Sequence, residues 1–210
     1  MSTDSTDTEH PLNGFKDVVF QRRSIRRYRP DVVPRNIVES LLQAAIWSPS
    51  AHNRQPWRFG VIETADQKES LAQAMGARLR HDLQADGVPT AVIEADAGRS
   101  YSRITQSPVL IVLCLSMVDM DVYTDDKRSL NEYLMAVQSV AMAGQNILLA
   151  AHDIGLGACW MCAPLFCPDV VKETLNLPDD WQPQALLTLG YPAETREKTR
   201  KPLEASVVWR

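Results

Sequence analysis

Apolar residues recur along the chain at two spacings, and each spacing predicts a different element of structure. Four short apolar runs predict strands, and one of them, "SPVLIVLCLS", is rich in β-branched residues. These runs are "WRFGVIE" from Trp57, "SPVLIVLCLS" from Ser107, "ACWMC" from Ala158 and "PQALLTLGYP" from Pro183. The first two are interpreted as buried strands. A further segment, "ASVVW", is interpreted as a last strand or as an arm.

Apolar residues three or four positions apart predict the helices that separate these strands. In "FKDVVFQR" this spacing puts Phe15, Val18 and Val19 on one helical face. The other predicted helices span 34–48, 66–105 with a break at Gly87 and Pro89, 129–152 and 167–177. We found no internal repeat or long linker, so residues 1–12 are predicted to be a disordered tail and 13–210 a single domain.

Composition narrows the classes of partner. The chain has 210 residues, 45% hydrophobic and 23% charged, with a formal net charge of −4, which is typical of a globular domain and argues against a general nucleic-acid binder. The first dozen residues are polar and acidic rather than a basic and apolar leader. The apolar stretch "YLMAVQSVAMAGQNILLAA" contains three amide side chains, which disfavour a membrane span. We therefore expect a cytoplasmic protein with neither nucleic acid nor membrane as a partner.

The four cysteines do not predict a metal or redox centre. Cys159 and Cys162 are three apart in a predicted strand, so their side chains should point to opposite faces. The sequence has no second cysteine–histidine pair at the spacing of zinc ligands. Buried free thiols and no metal are therefore the prediction.

Five arginines crowd the segment "QRRSIRRYRPD", although the chain is acidic as a whole. If this segment is extended, Arg22, Ser24 and Arg26 share one face. One guanidinium group can donate to two phosphate oxygens at once, and a serine hydroxyl adds another donor. A solvated basic surface is the alternative, and both interpretations stay open from these residues alone. A second basic run, "TREKTRKPLE", could meet the first on one phosphate or simply balance its own glutamates.

The segment "SPSAHNRQPW" gathers side-chain amides in a turn between a helix and a strand. Amides such as Asn53 and Gln55 offer a donor and an acceptor together, which suits the edge of a planar heterocycle. Alternatively, Ser50 and Asn53 satisfy their own backbone in a capped loop. His52 is either a proton donor or a hydrogen-bonded bystander.

Other catalytic patterns are missing from the sequence. "GLGACW" follows a helix and enters a strand, which is the wrong order for a dinucleotide-binding turn. We found no Ser–His–Asp order and no paired carboxylates. If the protein is an enzyme, a cofactor is therefore expected to carry the chemistry.

Four segments, taken in order, resemble the nitroreductase family of FMN flavoproteins. They are "RRSIRRY", "SPSAHNRQPWRF", "GLGACWMCAP" and "LLTLGYP…TRKPLEASVVW". The segments "HDLQADGVP" and "LNLPDDWQPQALLTLGYP" are most similar to the branch that contains the flavin domain of the deazaflavin coenzyme maturation enzyme. The resemblance implies an α+β fold with a mixed sheet flanked by helices, in an intertwined homodimer.

The resemblance also implies which residues bind FMN and substrate. The residues matching the family's cofactor contacts are Arg22, Arg23, Ser24, Arg26, Pro49, Ser50, Asn53, Gln55, Met161, Cys162, Ala163 and Arg200. Arg200 would close the phosphate site from the C-terminal side, and the loop around Asn53 would reach FMN across the dimer interface. The backbone of Met161–Ala163 would lie near flavin N5. Asp82 and Gly87 match positions that face the deazaflavin.

The implied function is ping-pong transfer of hydride by an FMN-dependent oxidoreductase. The donor would be reduced nicotinamide or deazaflavin, and the acceptor an electron-poor nitroaromatic, quinone or flavin-like molecule. No side chain is expected to be catalytic, because the flavin carries the chemistry and solvent can supply the proton. Two alternatives stay open: a carrier or sensor that binds FMN or deazaflavin without turnover, and a dehalogenase or flavin-cleaving member of the same fold.

Overall fold

A computed structural model of the protein describes residues 14–210. The α-helices in this range are α1 Phe15–Gln21, α2 Arg35–Ile46, α3 Ala65–Ala85, α4 Thr90–Thr105, α5 Asp126–Asp153 and α6 Pro168–Thr174. The strands are β1 Trp57–Ile62, β2 Val109–Leu115, β3 Gly157–Met161 and β4 Gln182–Gly190. Short 3₁₀ turns cover Ala51–Asn53, Ala163–Phe166 and Leu203–Ala205.

The four strands form one sheet in the order β1-β2-β4-β3. The neighbouring strands pair antiparallel, for example Gly60 with Val112 and Val112 with Leu186. A parallel contact is added by the bridge between Ser24 and Ala158, so the segment after α1 continues the sheet beyond β3. The last strand in sequence therefore lies inside the sheet, while β1 and β3 are at its two sides.

Helices cover both faces of the sheet and create two cores. Alternate residues of a strand point to opposite faces, so Ile111 and Leu113 join the core beneath α2 and α5. Leu110 and Val112 join the second core, which also contains Leu71 of α3. All seven residues of β2 are buried, which explains its continuous apolar run.

The helix α5 is long and apolar enough, by length and composition, to cross a membrane. Its buried residues include Ala136, Val140, Ala143 and Ile147, which belong to the core beneath the sheet. The helix is therefore apolar because it packs in the core.

The four predicted strands are confirmed, and so are the helical segments between them with the break near Gly87. Burial differs from the prediction at β1, where only Trp57 and Ile62 are buried because one side of this strand has no neighbour among the named strands. The "ASVVW" segment is not a strand and leaves Trp209 88% exposed. The predicted tail, 1–12, lies outside the described residues.

Candidate functional site

The arginine-rich segment lies beside β3 in extended conformation. The backbone N–H of Ile25 donates to the carbonyl of Ala158 at 3.0 Å, next to the Ser24–Ala158 bridge. This close approach depends on Gly157, because a Cβ atom there would lie 2.8 Å from Cβ of Ile25. We call residues 22–28 the arginine strip.

The chain that follows β4 holds the other side of the arginine strip. The backbone N–H of Arg26 donates to Oε1 of Glu194 at 2.8 Å. The N–H of Ala193 donates to the carbonyl of Arg27 at 3.0 Å. Tyr28 Oη lies 2.7 Å from Oγ1 of Thr188, and burial raises the pKa of the Tyr28 hydroxyl. The strip is thus tied to β3, to β4 and to the segment after β4.

Guanidinium groups from opposite ends of the chain converge on the strip. Burial of Arg22, together with the charges of Arg200 and then Arg23, lowers the pKa of the Arg22 guanidinium. Arg22 and Arg23 line a cavity of about 320 Å³ together with Arg196 of the second basic run. The two basic runs of the sequence therefore do meet, which the sequence had left open.

Arg23 turns back on its own segment. Its Nη1 donates to the carbonyls of Phe20, at 2.5 Å, and Arg22, at 2.8 Å. Its Nε is buried and has no hydrogen-bond partner among the described residues. Arg23 therefore adds charge to the cluster but offers fewer free donors than Arg22.

The segment predicted to lie near the flavin nitrogen begins at the end of β3. Met161 is half-buried, and Ala163 opens a 3₁₀ turn. The side chain of Cys162 is exposed, so the prediction of a buried thiol is wrong at this position. The indole Nε1–H of Trp160 donates to Sγ of Cys162 at 3.2 Å. Cys114, Cys159 and Cys167 are buried as predicted, and burial raises the pKa of each thiol.

The amide-rich loop, 49–55, lies between α2 and β1 and bonds mainly to itself. Ser50 Oγ accepts from the backbone N–H of Gln55 at 3.0 Å, which is the capping that the sequence offered as an alternative. His52, Asn53 and Gln55 have φ of 49°, 54° and 50°, a left-handed conformation that is strained for residues with a side chain. Pro49, Asn53 and Gln55 line a cavity of about 480 Å³.

The loop 49–55 and the arginine strip lie at opposite sides of the sheet. The loop leads into β1 and the strip lies against β3, with β2 and β4 between them. The strip lies beyond β3, so four strand spacings, or about 19 Å, separate it from β1. Within one chain, therefore, the structure does not bring these two groups of predicted cofactor residues together.

The predicted substrate residues lie elsewhere, in the hairpin of α3 and α4. The carboxylate of Asp82 pairs with Nε of Arg78 at 3.2 Å, and Arg78 also pairs with Asp169 of α6 at 3.0 Å. Gly87 has φ of 73° in the turn between the helices. Asp82 is thus engaged in an ion-pair network on α3.

Sequence reasoning missed two neighbours of the arginine strip. Glu194, with a side chain only 12% exposed, accepts from the Arg26 backbone, and Nη2 of Arg196 donates to it at 2.7 Å. Arg103 of α4 lines a cavity with Arg26. The basic run "TREKTRKPLE", which Glu194 immediately precedes, contained a signal for Arg196, since it alternates charges. Nothing in the local pattern of α4 pointed to Arg103.

Comparisons with known proteins agree over almost the whole chain. The profile of the nitroreductase family matches residues 19–191. A Thermus thermophilus protein named NADH dehydrogenase is 30% identical, over 95% of this chain and 98% of that protein. A Desulfovibrio desulfuricans protein solved in complex with FMN is 28% identical with a TM-score of 0.72, over 97% of this chain and 98% of that one.

A BluB-like flavoprotein from Clostridium difficile shares the fold, with a TM-score of 0.77 at 22% identity over 93% of this chain and 98% of that one. The family profile covers the arginine strip, the loop 49–55 and all four strands. This chain belongs to the nitroreductase family.

Proposed function

We propose that the protein is an FMN-dependent oxidoreductase that moves hydride from reduced nicotinamide or deazaflavin to an electron-poor organic acceptor. The observation that carries this proposal is that Arg22 and Arg23 of the first basic run line one cavity with Arg196 of the second. The acceptor class, a nitroaromatic, quinone or flavin-like molecule, and the ping-pong order are parts of the same proposal. The D. desulfuricans relative with FMN and the T. thermophilus relative named NADH dehydrogenase support it.

The arginine cluster fits the phosphate of FMN. Like charges close together repel, and a dianion between them relieves the repulsion and accepts charge-assisted hydrogen bonds. Arg22 and Arg200 would hold the phosphate, with the hydroxyl of Ser24 as a further donor. Because the guanidinium of Arg23 already donates to backbone carbonyls of its own segment, it would contribute mainly positive charge to the phosphate site.

The remaining residues would position and cover the flavin ring. FMN, when bound, supplies the reversible acceptance of a hydride. The backbone of Met161–Ala163 would border the ring, and the exposed Cys162 side chain would narrow the space above it. Asn53 and Gln55 would present amides to the ring edge, and His52 would at most assist. No side chain has to act as an acid, since solvent can supply the proton.

We further propose that the site is completed in a homodimer. The loop 49–55 and the arginine strip lie at opposite sides of the sheet, so a single flavin would contact both only if they came from two copies. Large apolar side chains beside the loop and on α5 are exposed, including Trp47 at 80% and Leu130 at 58%. A second copy would cover such a surface.

The phosphate assignment is tested with the double variant Arg22→Ala/Arg200→Ala. It should be purified colourless, with FMN affinity at least a hundredfold weaker, because charge-assisted bonds to phosphate contribute about 1.5–3 kcal/mol each. Arg35→Ala is the matched control, since this arginine is exposed on α2 and, among the described residues, pairs only with Glu39. Unchanged FMN affinity in the double variant would refute the assignment.

Turnover separates the enzyme from a carrier. Wild-type protein loaded with FMN should oxidise reduced nicotinamide when a quinone or nitroaromatic is present. A yellow protein that oxidises neither reduced nicotinamide nor reduced deazaflavin would instead be a carrier or sensor.

Sedimentation combined with absorbance tests the dimer, because dilution to the monomer should release the flavin. A stable yellow monomer is incompatible with the shared site.

A further inference from the structure

The loop that follows β2, residues 116–124, contacts the loop 49–55 through side chains. We call residues 116–124 the aspartate loop. The carboxylate of Asp121 pairs with the guanidinium of Arg54, and both side chains are only partly exposed. Arg54 lies between the two left-handed amide residues of the loop 49–55. The pair with Asp121 therefore acts on the strained part of that loop.

Asp119 of the aspartate loop forms a second ion pair. Its Oδ2 lies 3.2 Å from Nη2 of Arg58, near the start of β1. Nη1 of the same guanidinium donates to the backbone carbonyl of Gln55 at 3.2 Å. Arg58 thus links Asp119 to the end of the loop 49–55. The aspartate loop holds its neighbour at two places that adjoin in sequence.

A buried glutamate of α5 holds the aspartate loop from the core side. Glu132 is 1% exposed, and its Oε1 accepts from the backbone N–H of Asp121 at 3.1 Å. Its Oε2 is buried and has no hydrogen-bond partner among the described residues. A buried carboxylate with an unpaired oxygen destabilises a fold relative to an apolar side chain. Its presence indicates a task other than packing.

The loop 49–55 needs support from outside because it is strained. Asn53 and Gln55 have φ of 54° and 50°. Such a conformation persists where the surrounding structure enforces it. The ion pairs of Asp121 and Asp119 come from 67 and 61 positions along the chain. They tie the strained residues to β2 and, through Glu132, to α5.

We propose that Glu132 is a positioning residue for the amides that would face the flavin ring. This inference rests on the proposed function. Glu132 fixes the backbone of Asp121, and the carboxylate of Asp121 fixes Arg54. The amides of Asn53 and Gln55 on either side of Arg54 are thereby kept in place. Loss of Glu132 releases the amides from the ring edge and leaves the arginine strip intact.

The test compares Glu132→Ala with Glu132→Gln, which keeps an oxygen that accepts from the N–H of Asp121. In fluorescence titrations with FMN, Glu132→Ala should bind about tenfold more weakly than wild type, since hydrogen bonds to the ring edge are lost. Glu132→Gln should stay within about threefold of wild type. At saturating FMN, the flavin absorbance bands should shift in Glu132→Ala, because the amides no longer reach the ring. Arg22→Ala should weaken binding without moving the bands.

A double-mutant cycle separates this relay from general destabilisation. Arg54→Ala should weaken FMN binding about as much as Glu132→Ala, and the double variant should be no weaker than either one. If Glu132→Ala does not fold, Asp121→Ala takes its place in the cycle. Ile104→Val, in the core on the other face of the sheet, is the control, and it should lower stability without changing FMN affinity or the bands.

Three results would overturn the inference. The first is additive losses in the cycle, and the second is a set of flavin bands in Glu132→Ala that matches wild type. The third is equal weakening in Glu132→Gln and Glu132→Ala, because the oxygen that accepts from Asp121 would then not be what positions the loop. Failure of wild-type protein to bind FMN would instead refute the proposed function.

Discussion

The two sides of the sheet carry the two halves of the proposed site, and they are built differently. Beside β3, the arginine strip is tied to residues far away in sequence, such as Glu194, which is 168 positions from Arg26. Beside β1, the loop 49–55 bonds mostly within itself, for example Gln55 to Ser50. One half is fixed by the fold, whereas the other is a strained local structure that projects from it.

The difference indicates how the two halves would share one ligand. A phosphate needs its guanidiniums in place before it binds, and a rigid scaffold supplies that. Left-handed residues with side chains are retained at functional sites despite their cost. Asn53 and Gln55 would be such residues, holding amides toward a flavin on a second copy.

Disrupting the half of the site beside β3 should have the largest effect on stability and on FMN binding. The variant Gly157→Ala disrupts it without removing a charged group. The added methyl group would meet Ile25 at 2.8 Å, so the strip must move away from β3. We expect the free energy of unfolding to fall by about 1–3 kcal/mol and FMN binding to be lost. Denaturant titration and the flavin absorbance of the purified protein measure the two effects.

Gly60→Ala is the matched control on β1. A methyl group there would make ordinary contacts, 3.6 Å from Leu177 and 3.7 Å from Val112. Stability and flavin content should stay near wild type. If both glycine variants behave alike, the close approach at Gly157 does not position the strip.

Substitution of Glu194 is expected to have an intermediate effect on the stability of the fold, and the effect depends on pH. Burial raises the pKa of this carboxyl, but hydrogen bonds from Arg196 and from the Arg26 backbone outweigh it and lower the pKa below its ordinary 4.5. The carboxylate therefore stabilises the fold fully above pH 4.5, and this contribution is lost as pH falls through the lowered pKa.

Glu194→Gln should cost about 1 kcal/mol of unfolding free energy at pH 7. The difference from wild type should shrink as the pH falls below 4.5. Denaturant titrations of both proteins across this range measure it. A difference that is constant with pH would show that the charge of Glu194 does not hold the strip.

The smallest effect on stability is expected in the loop. Gln55→Gly removes an amide but relieves a left-handed residue with φ of 50°. Removing the backbone strain stabilises the folded state by about 1 kcal/mol. This gain roughly cancels the entropic cost that glycine adds by giving the unfolded chain more conformational freedom. Stability should therefore change by less than about 0.5 kcal/mol, while FMN affinity falls about tenfold. Thermal unfolding and fluorescence titration with FMN measure these effects.

Gln73→Gly provides the contrast in an exposed position of α3. It should cost about 1 kcal/mol, since glycine is a poor helix former, and leave FMN affinity unchanged. If Gln55→Gly is destabilised as much as Gln73→Gly, the loop stores no strain.

The sequence by itself determined the elements and the family. Strands such as "SPVLIVLCLS" and helices such as α5 follow from the spacing of apolar residues, because burial on one face imposes that spacing locally. The order of four motifs indicated the nitroreductase family, which the family profile shows over residues 19–191. The crowding of arginines after α1 also identified the anion site as a candidate from sequence.

Only the tertiary structure decided which distant residues share a space. The sheet order β1-β2-β4-β3 brings the segment after β4 beside the arginine strip and leaves the loop 49–55 on the far side. It also leaves Cys162 exposed and sets Arg103 beside Arg26. Local patterns report whether a residue is buried, but the neighbours of a residue depend on strand order and helix packing, which long-range contacts determine.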